Sequence, residues 1–355
     1  MKVAVVALTE RGAALAGKVS GVLAGCGNEV EVYAMPEAAR KNDGIIPLDR
    51  SLGEVTGELF SRCQGLVMIM ALGIVVRSIA PYIKDKRTDP AVVAMDEGGE
   101  FVISVLSGHM GGANDLARLI AGSTGSAAVI TTATDVNGVP ALDVMARDLK
   151  MEPEPWSAVK KINGALAGRE KVYLYSQYSI VVPESELICV GPWEQRAEVN
   201  GAWRILVTGD IGIVPGEKDI LLRPRNIAAG IGCKKGAGCE EIINQIKIAM
   251  ELAGRSMLCI KALATVSVKA GEEGIVRAAG ELGVPLLSFD RDQINDAVKN
   301  YGLSQSEFVL KKMGVGGVCE PVALLACRNG KLLLGKRKGP GITVALAEES
   351  SGWWE

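Results

Sequence analysis

The segment SVLSGHMGGAND, residues 104–115, contains His109, which is the only histidine among the 355 residues. Imidazole is the side chain best suited to exchanging protons near neutral pH. Gly111 and Gly112 follow it at the start of a predicted helix, where unbonded backbone N–H groups and the helix dipole favour an anion. These residues predict a general acid–base centre, with His109 as the proton carrier and the two glycine amides as donors to an oxyanion. The alternative is a turn histidine that hydrogen-bonds the backbone.

A basic run precedes this segment in a chain whose formal net charge is −2. It consists of Arg77, Lys84, Lys86 and Arg87. Such a cluster predicts a site for carboxylates, which arginine can bind through two parallel hydrogen bonds. The alternative is a solvated face of the protein. Asp89 lies just before a proline, so it is a candidate ligand contact or a turn cap.

Further polar residues follow two predicted strands of the same region. Asp96 and Glu97 stand before a Gly-Gly pair, where they are candidates for acid–base groups or for residues of a hairpin turn. Asp135 ends the stretch TTATD, which follows a predicted strand, where α/β proteins place ligand contacts. The candidate catalytic residues are His109, Gly111, Gly112, Asp96, Glu97 and Asp135. The candidate binding residues of this region are Arg77, Lys84, Lys86, Arg87, Asp89, Ser107, Asn114, Thr131 and Thr132.

A second glycine-rich stretch, GIGCKKGAGCEE, begins at Gly230 between a predicted strand and a predicted helix. Its G-x-x-x-G-x-G spacing, which starts at Gly232, is typical of short-chain reductases. The Y-x-x-x-K pair of such enzymes occurs here as Tyr82 and Lys86, upstream of the glycines and therefore in the reverse order. The next predicted strand also lacks an acidic residue for a ribose diol. We therefore expect either a tight turn or an anion site that uses Gly232 and the two lysines that follow. These lysines are Lys234 and Lys235.

The elements that must position these residues are short β-branched runs alternating with helical patterns, which is typical of α/β proteins. We expect two three-layer α/β/α domains joined by a small middle domain. The predicted domains are residues 1–145, residues 146–225 with a linker at LLRPRN, and residues 226–355. Within the last domain, Glu320 precedes a proline and is predicted to start a helix, either as a dipole partner or as a ligand contact.

Composition excludes several classes of function. Apolar residues make up 48% of the chain and there are 43 glycines, which indicates a soluble α/β protein. Aromatic residues are only 4% and the net charge is −2, so neither nucleic acid nor a membrane is an expected partner. We find no secretory segment and no apolar run of the ~18–20 residues that span a bilayer. The eight cysteines lack a C-x-x-C pair, which predicts free thiols, a cytoplasmic location and no zinc site.

Several blocks of the chain resemble the CbiG family, the cobalt-precorrin-5A hydrolases of anaerobic cobalamin biosynthesis. The N-terminal blocks are ALGIVVRSIAP, KDKRTDPAVV, FVISVLSGHMGGANDLA and VITTATD. The C-terminal blocks are GIGCKKGA, VCEPVALLA and ITVALAEE, which also resemble the separate protein CobE. The resemblance covers nearly the whole chain in the right order and is weakest over residues 146–222.

This resemblance implies a hydrolase that opens the δ-lactone of a cobalt-bound tetrapyrrole and expels a two-carbon fragment as acetaldehyde. It implies no cofactor, since the cobalt enters with the substrate. The substrate carries acetate and propionate arms, so the basic residues above are expected to bind a polyanion. His109 would act as acid or base in lactone opening. For the later carbon–carbon cleavage, His109, Asp96, Glu97 and Asp135 remain open alternatives.

A second function remains open from the same resemblance. CobE-like proteins suggest a non-catalytic carrier that binds corrinoid intermediates and hands them on to neighbouring pathway enzymes. Turnover distinguishes the hydrolase, whereas stoichiometric binding without turnover distinguishes the carrier. A homodimer is the default expectation for the oligomeric state.

Overall fold

The computed structural model describes residues 1–182, 184–197, 201–305, 310 and 314–354. It confirms the predicted α/β class, since three sheets flanked by helices make up the described residues. The chain divides into two compact units, Met1–Val139 and Pro140–Glu355. This division falls before the predicted boundary at residue 145, which lies inside the helix Leu142–Asp148. That helix buries Leu142 and Met145 in the core of the next sheet, so it belongs to the second unit.

The first unit contains a seven-stranded sheet in the order β3-β2-β1-β4-β5-β6-β7. Its strands are β1 (Lys2–Ala7), β2 (Glu29–Ala34), β3 (Ile46–Pro47), β4 (Gly65–Ile69), β5 (Ala91–Met95), β6 (Phe101–Leu106) and β7 (Ala127–Val129). Its helices are α1 (Glu10–Gly25), α2 (Pro36–Ala39), α3 (Leu52–Arg62), α4 (Leu72–Ile79), α5 (Ala113–Thr124) and α6 (Ala133–Val136). Strands β1, β4 and β5 are buried almost throughout because helices cover both faces of the sheet.

The direction of the strands changes within this sheet. Strands β1 to β5 are parallel, β6 is antiparallel to β5, and β7 is parallel to β6. The carboxyl ends of β6 and β7 therefore lie side by side, at the edge where β5 begins. We call this place the reversed edge, and it comprises the turn at 107–112, the turn at 130–132 and the loop at 83–90. The carboxyl ends of β1, β4 and β5 lie at the opposite edge.

The second unit begins with α7 (Leu142–Asp148), α8 (Trp156–Ala167) and a middle sheet in the order β10-β9-β11-β12-β8. Its strands are β8 (Met151–Glu154), β9 (Val172–Ser176), β10 (Ile188–Gly191), β11 (Trp203–Val207) and β12 (Asp219–Pro224). Strand β8 is antiparallel to β12, and the other neighbours are parallel. The apolar stretch SIVVP after β9 is not a strand over residues 179–182, and Pro183 lies outside the described residues.

The predicted linker at LLRPRN is wrong, because most of it is the buried strand β12. Arg223 is buried and its Nε donates to Glu154 Oε2 over 2.7 Å. Pro224 occupies the last position of the strand, where a missing N–H removes little from the ladder. The charge and the proline that indicated a linker are thus both accommodated by a strand.

A third sheet, in the order β15-β14-β13-β17-β16, completes the second unit. Its strands are β13 (Ile227–Cys233), β14 (Ile260–Val266), β15 (Leu286–Phe289), β16 (Lys331–Gly339) and β17 (Ile342–Glu348). Its helices are α9 (Cys239–Leu252), α10 (Glu273–Leu282), α11 (Arg291–Asn300) and α12 (Cys319–Leu325). The helix at Glu320 is as predicted, and β16 and β17 form a terminal hairpin. A Cβ at Gly230 would lie 1.9 Å from the Cys319 carbonyl oxygen, so α12 packs on β13 only because position 230 is glycine.

The last described residues connect this sheet to the middle sheet. Trp353 is buried among the apolar side chains of the middle sheet and its helices. Its indole Nε1 donates to the Leu149 carbonyl over 2.9 Å, and its ring makes an edge contact with Tyr178 at 5.4 Å. The two sheets of the second unit are therefore held together by the C-terminal segment as well as by the chain between β12 and β13.

Two further properties follow from the described residues. Within the described ranges, none of the helices combines the length and apolarity needed to cross a bilayer. All eight cysteines lie in these ranges, and each is a free thiol.

Candidate functional site

The reversed edge brings His109 and Asp135 together from two separate turns. His109 Nε2 lies 3.0 Å from Asp135 Oδ2 and 3.1 Å from the Thr134 hydroxyl. The two side chains of the pair are only 13% and 16% exposed. Their electrostatic interaction is therefore screened less by solvent and salt than that of a surface pair.

Helix α5 fixes the carboxylate of this pair. Asn114 Nδ2 donates to Asp135 Oδ2 over 2.9 Å and to the Thr132 hydroxyl over 3.1 Å. Arg118 Nη2, one turn further along the helix, donates to Asp135 Oδ1. Burial raises the pKa of Asp135, but the hydrogen bonds from Arg118 and His109 outweigh it and hold that pKa below its usual value. Asp135 is therefore ionised at neutral pH.

The backbone of the turn at 107–112 folds back onto the start of α5. Ser107 has φ +56° and Gly112, the N-cap, has φ +85°. The Gly112 N–H donates to the His109 carbonyl over 3.1 Å, and the Asn114 N–H donates to the Gly108 carbonyl over 3.0 Å. The expectation that Gly112 donates to an oxyanion is therefore wrong, because its N–H is already bonded within the turn.

Gly111 differs from Gly112 in both packing and hydrogen bonding. A Cβ at Gly111 would lie 2.5 Å from Ser107 Cβ and 3.1 Å from the Ala91 nitrogen, so only glycine fits between the turn and β5. Its N–H makes no backbone hydrogen bond within the described ranges. The Ser107 hydroxyl is buried and also lacks a partner there. Gly111 and Ser107 thus place two neighbouring donors in the same turn as His109.

This arrangement suits general acid–base chemistry. With the proton on Nε2, the His109 ring donates to Asp135, which fixes the ring orientation and leaves Nδ1 as the basic nitrogen. The carboxylate also stabilises the imidazolium that forms when Nδ1 accepts a proton. The two donors at Ser107 and Gly111 are suited to a developing negative charge on oxygen.

The loop at 83–90 presents cations at the same edge. The Lys84 N–H donates to both carboxylate oxygens of Asp89, over 3.2 and 3.0 Å. Asp89 is buried and closes the loop, which fits its alternative interpretation as a turn cap. Arg87 makes two 2.9 Å hydrogen bonds to Asp85, which offsets its charge. The exposed cations of this loop and of α4 are Arg77, Lys84, Lys86 and Arg87.

Asp96 and Glu97 lie at the opposite edge of the sheet and are not brought together with His109. Asp96 accepts the Phe101 N–H over 2.6 Å and closes the β5–β6 hairpin. Glu97 accepts the hydroxyl of Thr9, the N-cap residue of α1. The five residues of β5 put roughly 16 Å between the two edges. These two carboxylates therefore serve the turn and the helix cap.

The candidates of the second unit lie in the turn after β13 and in α12. The Lys234 N–H donates to the Gly341 carbonyl over 2.8 Å, and the Gly236 N–H donates to Glu272. The side chains of Lys234 and Lys235 are exposed and remain candidates for anion contacts. The backbone N–H groups of Lys234 and Gly236 are therefore already bonded to other residues of the second unit.

Gly232 and Glu320 have structural partners in the same sheet. The Gly232 carbonyl accepts the Thr343 hydroxyl over 3.2 Å. Glu320 Oε1 accepts the Lys336 N–H over 2.9 Å, at an irregularity in the pairing of β16 with β17. Glu320 therefore satisfies a donor that the sheet leaves unpaired.

Two residues of the His109 site were missed by the sequence analysis. Arg118 lies four residues after Asn114, which places both on one face of a helix, and this spacing is the signal that could have identified it. Thr134 directly precedes Asp135. Thr131 is exposed beside the site, whereas Thr132 contacts Asn114. No group of three or more His, Cys, Asp or Glu side chains is placed to hold a metal ion within the described part of the chain.

Family models match three segments of the chain. The model described as "Cobalamin synthesis G N-terminal" matches residues 54–135, which include the whole His109 site. The model "Cobalamin biosynthesis central region" matches residues 140–211. The model "Cobalamin synthesis G C-terminus" matches residues 227–347.

Curated relatives match along nearly the whole chain. The cobalt-precorrin-5A hydrolase of Salmonella typhimurium is 32% identical, over 97% of this chain and 97% of its own length. The cobalt-precorrin-5A hydrolase of Priestia megaterium is 31% identical, over 97% of this chain and 94% of its own. A solved structure of a cobalamin biosynthesis protein G homolog from Sulfolobus solfataricus is 23% identical, covers 98% of this chain and 97% of its own, and has a TM-score of 0.43.

Proposed function

Since the chain belongs to the cobalamin synthesis G (CbiG) family, a family of cobalamin-biosynthesis hydrolases, we propose that it opens the δ-lactone of cobalt-precorrin-5A and releases acetaldehyde to give cobalt-precorrin-5B. The observation that carries this proposal is the buried His109–Asp135 pair. The turn that holds His109 also contains the Ser107 hydroxyl, which has no partner among the described residues, and a cationic loop lies at the same edge of the sheet. Hydrolysis of an ester near neutral pH needs such a base and such donors.

Lactone opening begins with a water molecule whose proton passes to His109 Nδ1. The water oxygen bonds to the lactone carbonyl carbon, and the carbonyl electrons move to oxygen. The Gly111 N–H and the Ser107 hydroxyl donate to this oxyanion. When the oxyanion collapses, the ring C–O bond breaks and the imidazolium returns its proton to the leaving alkoxide. Asp135 stabilises the imidazolium between these two transfers.

Carbon–carbon cleavage then starts from the freed hydroxyl group. His109 removes the hydroxyl proton, the oxygen forms a carbonyl with its carbon, and the bond from that carbon to the macrocycle breaks. The bonding electrons pass to the macrocycle, which takes up a proton, and the two-carbon fragment leaves as acetaldehyde. The same imidazole serves both steps because each begins by removing a proton from oxygen.

The cations of the loop at 83–90 would hold the carboxylate arms of the substrate. Lys84 and Lys86 are exposed, and Arg77 is exposed on the preceding helix. The net charge of −2 makes such a local concentration of cations necessary for a polyanionic ligand. Lys234 and Lys235, which lie in the second unit, stay predicted contacts for an anion.

The test is incubation of the protein with cobalt-precorrin-5A, with released acetaldehyde trapped as a hydrazone and counted against protein. We expect many acetaldehydes per chain. Binding of the corrinoid without acetaldehyde would instead support the carrier function and remove every catalytic role given above.

A pair of variants then assigns the site. His109→Ala should lower turnover by about 10²- to 10⁴-fold, the usual cost of removing an acid–base group. Glu97→Gln, which changes a carboxylate at the opposite edge, should keep turnover within a few-fold of the parent. A loss below about tenfold for His109→Ala would remove the acid–base role while leaving the family assignment intact.

A further inference from the structure

The order of strands in the middle sheet creates a crevice that the proposed reaction does not use. From β9 the chain first adds β10 on one side and then crosses to add β11 on the other side. The connections therefore diverge at the carboxyl ends of β9 and β11. In open α/β sheets this divergence is where small molecules bind.

A pocket of about 480 Å³ lies at this point. It is lined by Ser176, Gln177, Tyr178, Trp193, Glu194 and Arg255. The first three residues follow or end β9, the next two follow β10, and Arg255 comes from the segment after α9. The volume is within the range of about 300–1,000 Å³ that is usual for small-molecule sites.

Residues that line this pocket are held by a network of buried and partly buried hydrogen bonds. The buried Arg223 guanidinium donates to the carbonyls of Thr208 and Asp210, over 3.1 and 2.8 Å. The Thr208 hydroxyl then donates to Gln177 Oε1. The Ser176 hydroxyl donates to the Tyr178 carbonyl over 2.7 Å and accepts the Tyr178 N–H over 3.0 Å. The pocket is thus formed before any ligand binds.

Two donor groups in the lining of this pocket are not engaged by the described residues, one on Arg255 and one on Gln177. Arg255 Nε and Nη2 bond to Glu348 over 3.1 and 3.3 Å, whereas Nη1 has no hydrogen-bond partner among the described residues. The side-chain carbonyl oxygen of Gln177 accepts a hydrogen bond from the Thr208 hydroxyl, so the amide NH₂ group is the part of Gln177 that can donate to a ligand. Burial raises the pKa of Tyr178, so its hydroxyl stays protonated and donates to Glu348 over 3.1 Å.

The lining is mainly polar, but it includes the flat Trp193 indole, which also packs on the cluster of Tyr175, Leu206 and Leu221. The Arg196 guanidinium lies 4.5 Å from the centre of the Trp193 ring, and its Nη1 donates to the Trp193 carbonyl over 3.1 Å. These contacts fix the indole in place. Glu194 is exposed next to it and adds a negative charge at the mouth.

We propose that this pocket binds a small monocarboxylic acid with a flat apolar body. The carboxylate bonds to Arg255 Nη1 and the Gln177 amide, and the body stacks on Trp193. Glu194 and the nearby Glu348 disfavour a second negative charge on the ligand. The pocket is therefore a separate site from the one proposed for the polyanionic macrocycle.

The test uses 4-fluorobenzoate as the probe and its neutral isostere 4-fluorobenzamide as the control, with fluorine NMR line broadening on the full-length protein. We expect the acid to bind about tenfold or more tightly than the amide, because the charge-assisted hydrogen bond is lost in the amide. Equal binding of the two probes, or no broadening by the acid at millimolar concentration, would overturn the proposal.

Two variants locate the site. Arg255→Lys keeps a charge beside Glu348 but loses the guanidinium fork, so the acid should bind about tenfold more weakly. Glu194→Gln changes an exposed side chain, leaves folding intact and should tighten the acid about two- to fivefold. The second variant keeps the proposal testable if the first fails to fold, and an unchanged affinity in Glu194→Gln would then refute it.

Discussion

Replacing Asp135 by asparagine is the most direct test of the mechanism, because it removes one charge and keeps the side-chain shape. When His109 accepts a proton, its positive charge faces the carboxylate across a 3.0 Å contact in a largely buried setting. Two unit charges about 4 Å apart interact by about 4 kcal/mol at an effective dielectric constant of about 20. Asp135→Asn forfeits this stabilisation of the imidazolium.

That energy corresponds to a fall in kcat of about 10³-fold, since each 1.36 kcal/mol is about tenfold in rate. Two further effects act in the same direction. Arg118 keeps its 3.4 Å contact with Asp115 but loses Asp135, so its charge is offset less and repels the imidazolium more strongly. The new amide can also donate to Nε2, which favours the wrong tautomer of the ring. We expect KM to change little, because the carboxylate contacts the histidine rather than the substrate.

The assay is steady-state release of acetaldehyde from cobalt-precorrin-5A, followed for the parent, Asp135→Asn and Glu97→Gln. Circular dichroism and the thermal midpoint should establish that each variant is folded. Glu97→Gln provides the matched control, since it also neutralises a carboxylate that is hydrogen-bonded in the same unit. If folded Asp135→Asn retains more than a tenth of the parent kcat, or if Glu97→Gln falls as far, the pair at the reversed edge does not perform the reaction.

Three other outcomes follow from the contacts described above. Ser107→Ala should lower kcat about 10- to 10²-fold with little change in KM, because one proposed oxyanion donor is lost. An unaltered kcat in the acetaldehyde assay would argue against that role. The pKa of Asp135 is lowered on folding, so its stabilising contribution is present above the unfolded pKa of about 3.9 and is lost as the pH falls through the folded value. Urea unfolding of the parent and Asp135→Asn should therefore give free energies that converge as the pH drops below about 4, and a gap that stays constant would contradict this linkage. Trp353→Ala should lower the free energy of unfolding by about 3–5 kcal/mol in urea titrations, because a buried indole and its hydrogen bond to the Leu149 carbonyl are removed. A loss under about 1 kcal/mol would mean that the C-terminal segment is not anchored at the middle sheet.

Much of the fold could be predicted because its central strands are buried on both faces. Strands β1, β4 and β5 are continuous apolar runs, and the Thr9 cap marks the start of α1 in the sequence. The failure at LLRPRN has a physical cause. Arg223 is neutralised by Glu154, which lies 69 residues earlier in the chain, and a pattern of neighbouring residues does not contain such a distant partner.

The candidate site was only partly predictable for a related reason. His109 and Asp135 could be identified because each follows a strand and belongs to a recognisable segment. Their hydrogen bond depends on the adjacent carboxyl ends of β6 and β7, which is a property of strand order. The role expected for Gly112 failed because its N–H bonds to the carbonyl three residues earlier, a detail of turn conformation that glycine spacing leaves open.

The reversal of β6 also decides at which end of the first sheet the proposed reaction is placed. The rule that ligands lie at the carboxyl ends of strands applies to both edges of this sheet, since β1, β4 and β5 end at one edge and β6 and β7 end at the other. At the first edge, Asp96 and Glu97 are engaged by the hairpin and the α1 cap. At the reversed edge, the one imidazole of the chain faces an ionised carboxylate. The cationic loop reaches that same edge because the loop leads directly into β5, which begins there. A single change of strand direction thus brings the imidazole, its carboxylate partner and the exposed cations of the loop to one side of the sheet.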